Sequence, residues 1–195
     1  CAGKSTSENS NVADTAATAV VSSLIKDSFP AGKITSVVCR NDASQSYALY
    51  LPVNAANTKL AVIYFFDPHA DGALPLKKYQ SLADKYNFIL IGSNNSKNGN
   101  DWPTSENTWR NLFDDSQSRL NIDHDRIYAC GFSGGAKVAG YIALHHPEIK
   151  GVIVNGAGLP DGTPAGNFNF SFTAIAGEGD MNMTDLVSIT SALDK

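Results

Sequence analysis

The sequence predicts an α/β protein, a mostly parallel β-sheet covered by helices on both faces. Three observations carry this. Residues 60–66 (LAVIYFF) and 88–92 (FILIG) are continuous apolar runs of strand length, the pattern of strands buried on both faces. Stretches with helical spacing, such as 75–86 and 134–146, alternate with those runs. The 195 residues suffice for one domain with a sizeable core, and no internal repeat divides them.

The elements follow in order. Residues 2–11 are polar and rich in Ser, Asn and Thr. With Cys1 they make a tether over 1–11 that cannot bury a core. Val12, Ala16, Ala19, Val20 and Leu24 space an amphipathic helix over 12–29, and Pro30-Ala31-Gly32 ends it. The unit 12–32 is therefore a helix and connector, and 33–195 is the main domain. Residues 34–40 and 46–51 read as strands around the turn 41–44, with Pro52 stopping the second. They form a hairpin. Strands are then expected at 60–66, 88–92, 126–130, 151–154 and 170–176. Helices are expected at 75–86, 109–120, 134–146 and 184–193.

Composition narrows the function. The net charge is −4 and there is no Lys/Arg stripe, so nucleic acid is not an expected partner. No run approaches the roughly 18 apolar residues of a spanning helix. Cys1 followed by a polar stretch resembles a mature bacterial lipoprotein. That resemblance implies a lipid on Cys1, attachment to a membrane through it, and a place in the bacterial cell envelope. The alternative is a sequence start that simply falls on cysteine. Cys39 and Cys130 lie inside apolar runs and read as buried thiols, and their pairing stays open at this point. There is no CxxC and no His pair at ligand spacing, so no metal is expected. Gly3-Lys4-Ser5 lacks the earlier glycine and the strand of a phosphate-binding loop.

Gly131-Phe132-Ser133-Gly134-Gly135 sits between a predicted strand and a predicted helix. Parallel sheets present reactive residues at the carboxyl ends of their strands. Glycines on both sides permit a sharp turn that raises Ser133 as a nucleophile, and the Gly134 N–H can stabilise an oxyanion. An ordinary serine in a glycine-rich turn is the bland alternative. The second oxyanion donor is expected from the loop 67–72 (DPHADG). Pro68 has no N–H, which leaves the backbone of His69 or Ala70. A structural turn explains the same loop without catalysis. The acid should follow the nucleophile in chain order. Asp180, at a strand end in Gly177-Glu178-Gly179-Asp180, is favoured over Glu178, with a helix N-cap as its structural alternative.

Tyr47-Ala48-Leu49-Tyr50-Leu51-Pro52, Asp125-Arg126-Ile127-Tyr128, the Ser133 turn and the Asp180 turn fall in the order and spacing of the α/β-hydrolase fold. Over residues 33–190 the chain resembles feruloyl and acetylxylan esterases and polyhydroxybutyrate depolymerases. The resemblance implies a serine esterase using Ser, His and Asp through an acyl-enzyme, with no metal or organic cofactor. Two features depart from it. DPHADG replaces the usual His-Gly-rich loop. No histidine follows Asp180, although the family's histidine comes one strand after the acid. The expectation is an α/β-hydrolase sheet lacking its last strand and histidine loop.

None of the four histidines stands where the family's base is expected, and His69 is left as an unusual base. His145 and His146 are roughly 18 Å along the helix from Ser133 and suit its negative end. His124 precedes the Ser133 strand at the opposite edge. His69 is at the correct edge but in the oxyanion loop. The polar stretch 93–109 holds Trp102 and Trp109 among Asn and Ser. Such tryptophans suit sugar rings, so both are candidate substrate contacts, with burial in the core as the alternative. The partner expected is a small-molecule or polysaccharide ester. The rival function is a non-catalytic carbohydrate-binding or interaction lipoprotein on the same fold.

Overall fold

The computed structural model describes residues 27–55, 58–163, 166–184, 186, 187 and 189. Cys1, the 1–11 tether, residues 12–26 of the first expected helix and 190–193 of the last lie outside them. Residues 27–30 carry no regular structure.

Strands β1 (Ile34–Val38) and β2 (Ser46–Tyr50) form the expected hairpin, with Val38 opposite Ser46. Its turn closes when the Asp42 carboxylate accepts from Ser44 N at 2.9 Å. Then come β3 (Leu60–Phe66), α1 (Ala73–Tyr86), β4 (Phe88–Ser93), α2 (Trp102–Arg119), β5 (Ile122–Phe132), α3 (Gly134–His145), β6 (Gly151–Asn155) and β7 (Ser171–Ile175). A helical stretch starts at Met183, with Leu186 buried in the main core.

The seven strands make one sheet in the order β1-β2-β4-β3-β5-β6-β7. β2 pairs antiparallel with β4, and β4, β3, β5, β6 and β7 run parallel. The main core lies on the face covered by α2 and α3, where Val62, Tyr64, Trp109, Ile127, Ala139 and Val154 meet. The other face has a smaller core under α1, around Phe65, Leu76 and Leu90. Beside it an apolar groove, lined by Phe65, Leu82, Tyr86, Ile153 and Ile175, stays open to solvent. Among the described residues no helix is long and apolar enough to cross a membrane.

Two elements start four or more residues earlier than the sequence pattern suggests. α2 begins at Trp102 rather than 109. Asp101 caps it by accepting from Thr104 N at 2.9 Å, and Pro103 stands in the first turn, where its missing N–H costs nothing. β5 begins at Ile122 rather than 126, because Asp123 to Arg126 bulge outward between two paired stretches. Cys39 and Cys130 are free thiols. Three strands separate β1 from β5, a span of about 19 Å, too far for a disulfide. Burial pushes both thiols up, Cys39 to about 11 with help from Asp115, and Cys130 to about 12.

A charged network ties the first described residues to the sheet. Buried Asp115 accepts from Tyr47 Oη (2.9 Å), Arg40 N (2.9 Å) and Arg119 Nη1 (3.1 Å). Arg119 and Arg40 both donate to Asp27, at 2.8 and 2.7 Å. Desolvation pushes the Asp27 carboxyl up, but the bonds from Arg119 and Arg40 outweigh it and hold the group below its ordinary 3.8. A depressed carboxylate stabilises the fold above its unfolded value and loses that effect as pH falls through the folded one. Asp27→Asn is therefore expected to lower Tm by about 3 °C at pH 7, from about 1 kcal/mol of a partly exposed pair. The difference from the parent should close below pH 3.8. Thermal melts across pH check this, and a gap that persists in acid would contradict it.

Candidate active site

β5 delivers Ser133 to the carboxyl edge of the sheet. Its backbone stands at φ 52 and ψ −122, a conformation costly for any residue with a Cβ. Three contacts hold it there. Ser133 N donates to Asn155 O of β6 at 2.8 Å, and Ser133 O accepts from Ala136 N at 2.9 Å. The third is close packing behind the turn. A Cβ on Gly131 would strike the Gly135 carbonyl, and a Cβ on Gly135 would strike the Phe66 carbonyl. The glycines let α3 start directly against β3 and β5. The free N–H groups of its first turn then lie beside Ser133.

The end of β6 brings Asp180 to the same edge. Asn155 holds Ser133, and the next residue, Gly156 (φ 64), faces the Asp180 carboxylate, with Oδ2 3.1 Å from where a Cβ would stand. Asp180 Oδ1 accepts from Asn182 N at 2.9 Å, and Asn182 Nδ2 donates to Gly156 O at 2.8 Å. One carboxylate oxygen thus makes the capping bond and the other looks toward the strand ends. Glu178 is exposed in the turn before it.

The loop after β3 has a different arrangement from the one expected. The His69 N–H donates to the carboxylate of buried Asp67 at 2.8 Å, so it is engaged and does not face Ser133 as a free donor. The Ala70 N–H makes a long 3.4 Å bond to Asp67 O, and Ala70 is held at φ 60. The His69 ring is 78% exposed, with Nδ1 3.4 Å from the same carboxylate. A cleft of about 220 Å3 opens beside it, lined by Asp67, His69, Lys78, Tyr79, Phe132 and Asn155 among others.

The other histidines lie elsewhere. His124 is in the β5 bulge at the opposite end of the strand. His145 bonds Tyr141 O at 2.8 Å and packs on its ring. His146 sits between Glu106 (3.0 Å) and Glu148 (3.2 Å) at the C-terminus of α3. Burial raises Glu106, but His146 and Arg110 outweigh it and hold its carboxyl down.

The tryptophans part company. Trp109 is 1% exposed and packs edge-on to Tyr64 at 5.0 Å, so it is a core residue and cannot meet a substrate. Trp102 is 41% exposed, with one face stacked on Tyr141 at 4.7 Å. Among the described residues no group of three His, Cys, Asp or Glu could hold a metal ion.

The comparisons agree with this architecture. The feruloyl esterase module from Clostridium thermocellum superposes with a TM-score of 0.65 at 12% identity, over 83% of this chain and 72% of that one. The chain has the α/β-hydrolase fold. The chain also superposes on the poly(3-hydroxybutyrate) depolymerase from Bordetella parapertussis, with a TM-score of 0.56 at 15% identity, over 83% and 71% of the two chains. In sequence it is 24% identical over 136 residues to acetylxylan esterase A of Emericella nidulans. That match takes in 63% of this chain and 45% of the fungal one, so the chain spans less than half of that relative's length. The sequence similarity to acetylxylan esterases agrees with the resemblance read first from the motifs, and the feruloyl esterase module and the depolymerase share the fold. No protein-family model matches the chain.

Proposed function

We propose that this protein is a serine esterase acting on an ester carried by a carbohydrate. The observation that carries the reading is Ser133, a non-glycine residue at φ 52 between a buried strand and a helix N-terminus. Ser133 Oγ attacks the ester carbonyl, and the Gly134 N–H receives the developing oxyanion. The alcohol leaves with the proton taken from Ser133, giving an acyl-enzyme that water then hydrolyses. Asp180 orients the histidine that moves those protons.

Among the described residues no hydrogen bond or ion pair joins a histidine to Asp180. The carbohydrate is inferred from the relatives' printed activities and from exposed Trp102, whose free face suits a sugar ring. A lipid on Cys1 would hold the enzyme at the bacterial cell envelope. The positions of His124, His145 and His146 favour the rival reading, a binding protein that keeps the fold without the chemistry.

Hydrolysis of 4-nitrophenyl acetate by the protein at its native length tests the choice. Turnover that Ser133→Ala lowers by on the order of 10⁴-fold supports the esterase. No turnover, or turnover unchanged in the variant, favours the binding protein. Chain 1–195 alone is expected to turn over slowly or not at all, because an unassisted serine hydroxyl is a weak nucleophile.

A further inference from the structure

An oxyanion hole needs a second donor beside the Gly134 N–H, and the loop that should supply one is poorly equipped. Pro68 has no N–H, the His69 N–H is spent on Asp67, and the Ala70 N–H is drawn to Asp67 O. A side-chain amide stands next to this gap. Asn98 lies so close over Gly134 that a Cβ there would collide with its Oδ1 and lie 3.0 Å from its Cγ. Its side chain is exposed to solvent, while its backbone N–H is held by the loop after β3.

The placement comes from both sides. Asn98 N donates to Pro68 O at 2.8 Å, and His69 bridges to Lys97, so the loop 94–100 is stitched to the loop after β3. On the near side Ser93 Oγ accepts from Ser96 N (3.0 Å), and Asn100 Nδ2 donates to Asn95 O (3.0 Å). On the far side Asp101 caps α2, and Trp102 stacks on Tyr141 two turns along α3 from Gly134. An exposed amide anchored through its backbone beside the helix N-terminus can exchange water for a ligand oxygen.

We propose that the Asn98 side-chain amide is the second oxyanion donor, its Nδ2–H bonding the ester oxygen that gains negative charge when Ser133 attacks. This rests on the serine esterase reading. The two amide ends are interchangeable by rotation about χ2, so the nitrogen can face Gly134 when that oxygen is present.

The test is the second-order rate at which a fluorophosphonate modifies Ser133 in the native-length protein, since the phosphonyl oxygen takes the oxyanion position. Asn98→Ala should slow modification by about 10²-fold, and Asn98→Asp by more, since a carboxylate repels the incoming charge. Both variants should melt within about 2 °C of the parent, a readout that separates substrate contact from loop support. With 4-nitrophenyl acetate the loss should fall on kcat and leave KM nearly unchanged. Variants that label within threefold of the parent would overturn the Asn98 role while leaving the serine reading intact. A parent protein that never labels would overturn both.

Discussion

Alanine at position 135 is expected to destabilise the protein by about 3 kcal/mol and to lower Tm by about 10 °C. One methyl group has this effect because of what it meets. The Cβ of residue 135 would run into the Phe66 carbonyl, a backbone atom at the carboxyl end of the central strand β3. No rotamer change relieves that. Either α3 must lift from β3 or β3 must shift, and both disturb the turn at Ser133. Gly166→Ala is the control, since no described residue lies within 4 Å of its added methyl, and it should change stability by less than about 0.5 kcal/mol. Melts of the two variants side by side decide the matter. Equal midpoints would mean that α3 does not pack where the structure has it.

Trp109→Ala is expected to cost about 3–5 kcal/mol, the range for emptying a buried aromatic site. The indole is shared by Tyr64, Phe66, Phe113 and His146, with ring centres between 4.9 and 6.3 Å away. It therefore joins β3, α2 and the end of α3. Trp102→Ala removes a ring that leans on Tyr141 at the surface and should cost no more than about 1 kcal/mol. Urea unfolding followed by circular dichroism separates the two. A mild Trp109→Ala would restore that residue as a candidate substrate contact.

The history of Trp109 shows where sequence patterns carry information and where they do not. The parallel strands were legible because burial on both faces leaves no polar position, as in LAVIYFF. The Ser133 turn was legible because only glycines permit backbone atoms to come so close. α2 was half hidden. Its buried face carries Ser105, Thr108, Asp115 and Ser116 beside Trp109 and Leu112, so apolar periodicity starts too late. Asp101 and Pro103 marked its true beginning, but the polarity around them imitated a loop. The β5 bulge hid four more residues for the same reason. The engagement of the His69 N–H and the position of Asn98 were illegible in principle. The first is a local bond two residues back that no hydrophobic pattern marks, and the second depends on the loop 94–100 meeting the loop after β3. Asp180 was favoured from chain order and its place in a glycine-rich turn at a strand end, and its approach to Gly156 depends on how that turn folds back.

The most direct test of the account is the intact mass of the native-length protein after treatment with a fluorophosphonate. The account predicts one adduct, mapped to Ser133 and absent from Ser133→Ala. A protein that stays unmodified, or carries its adduct on another residue, would contradict it.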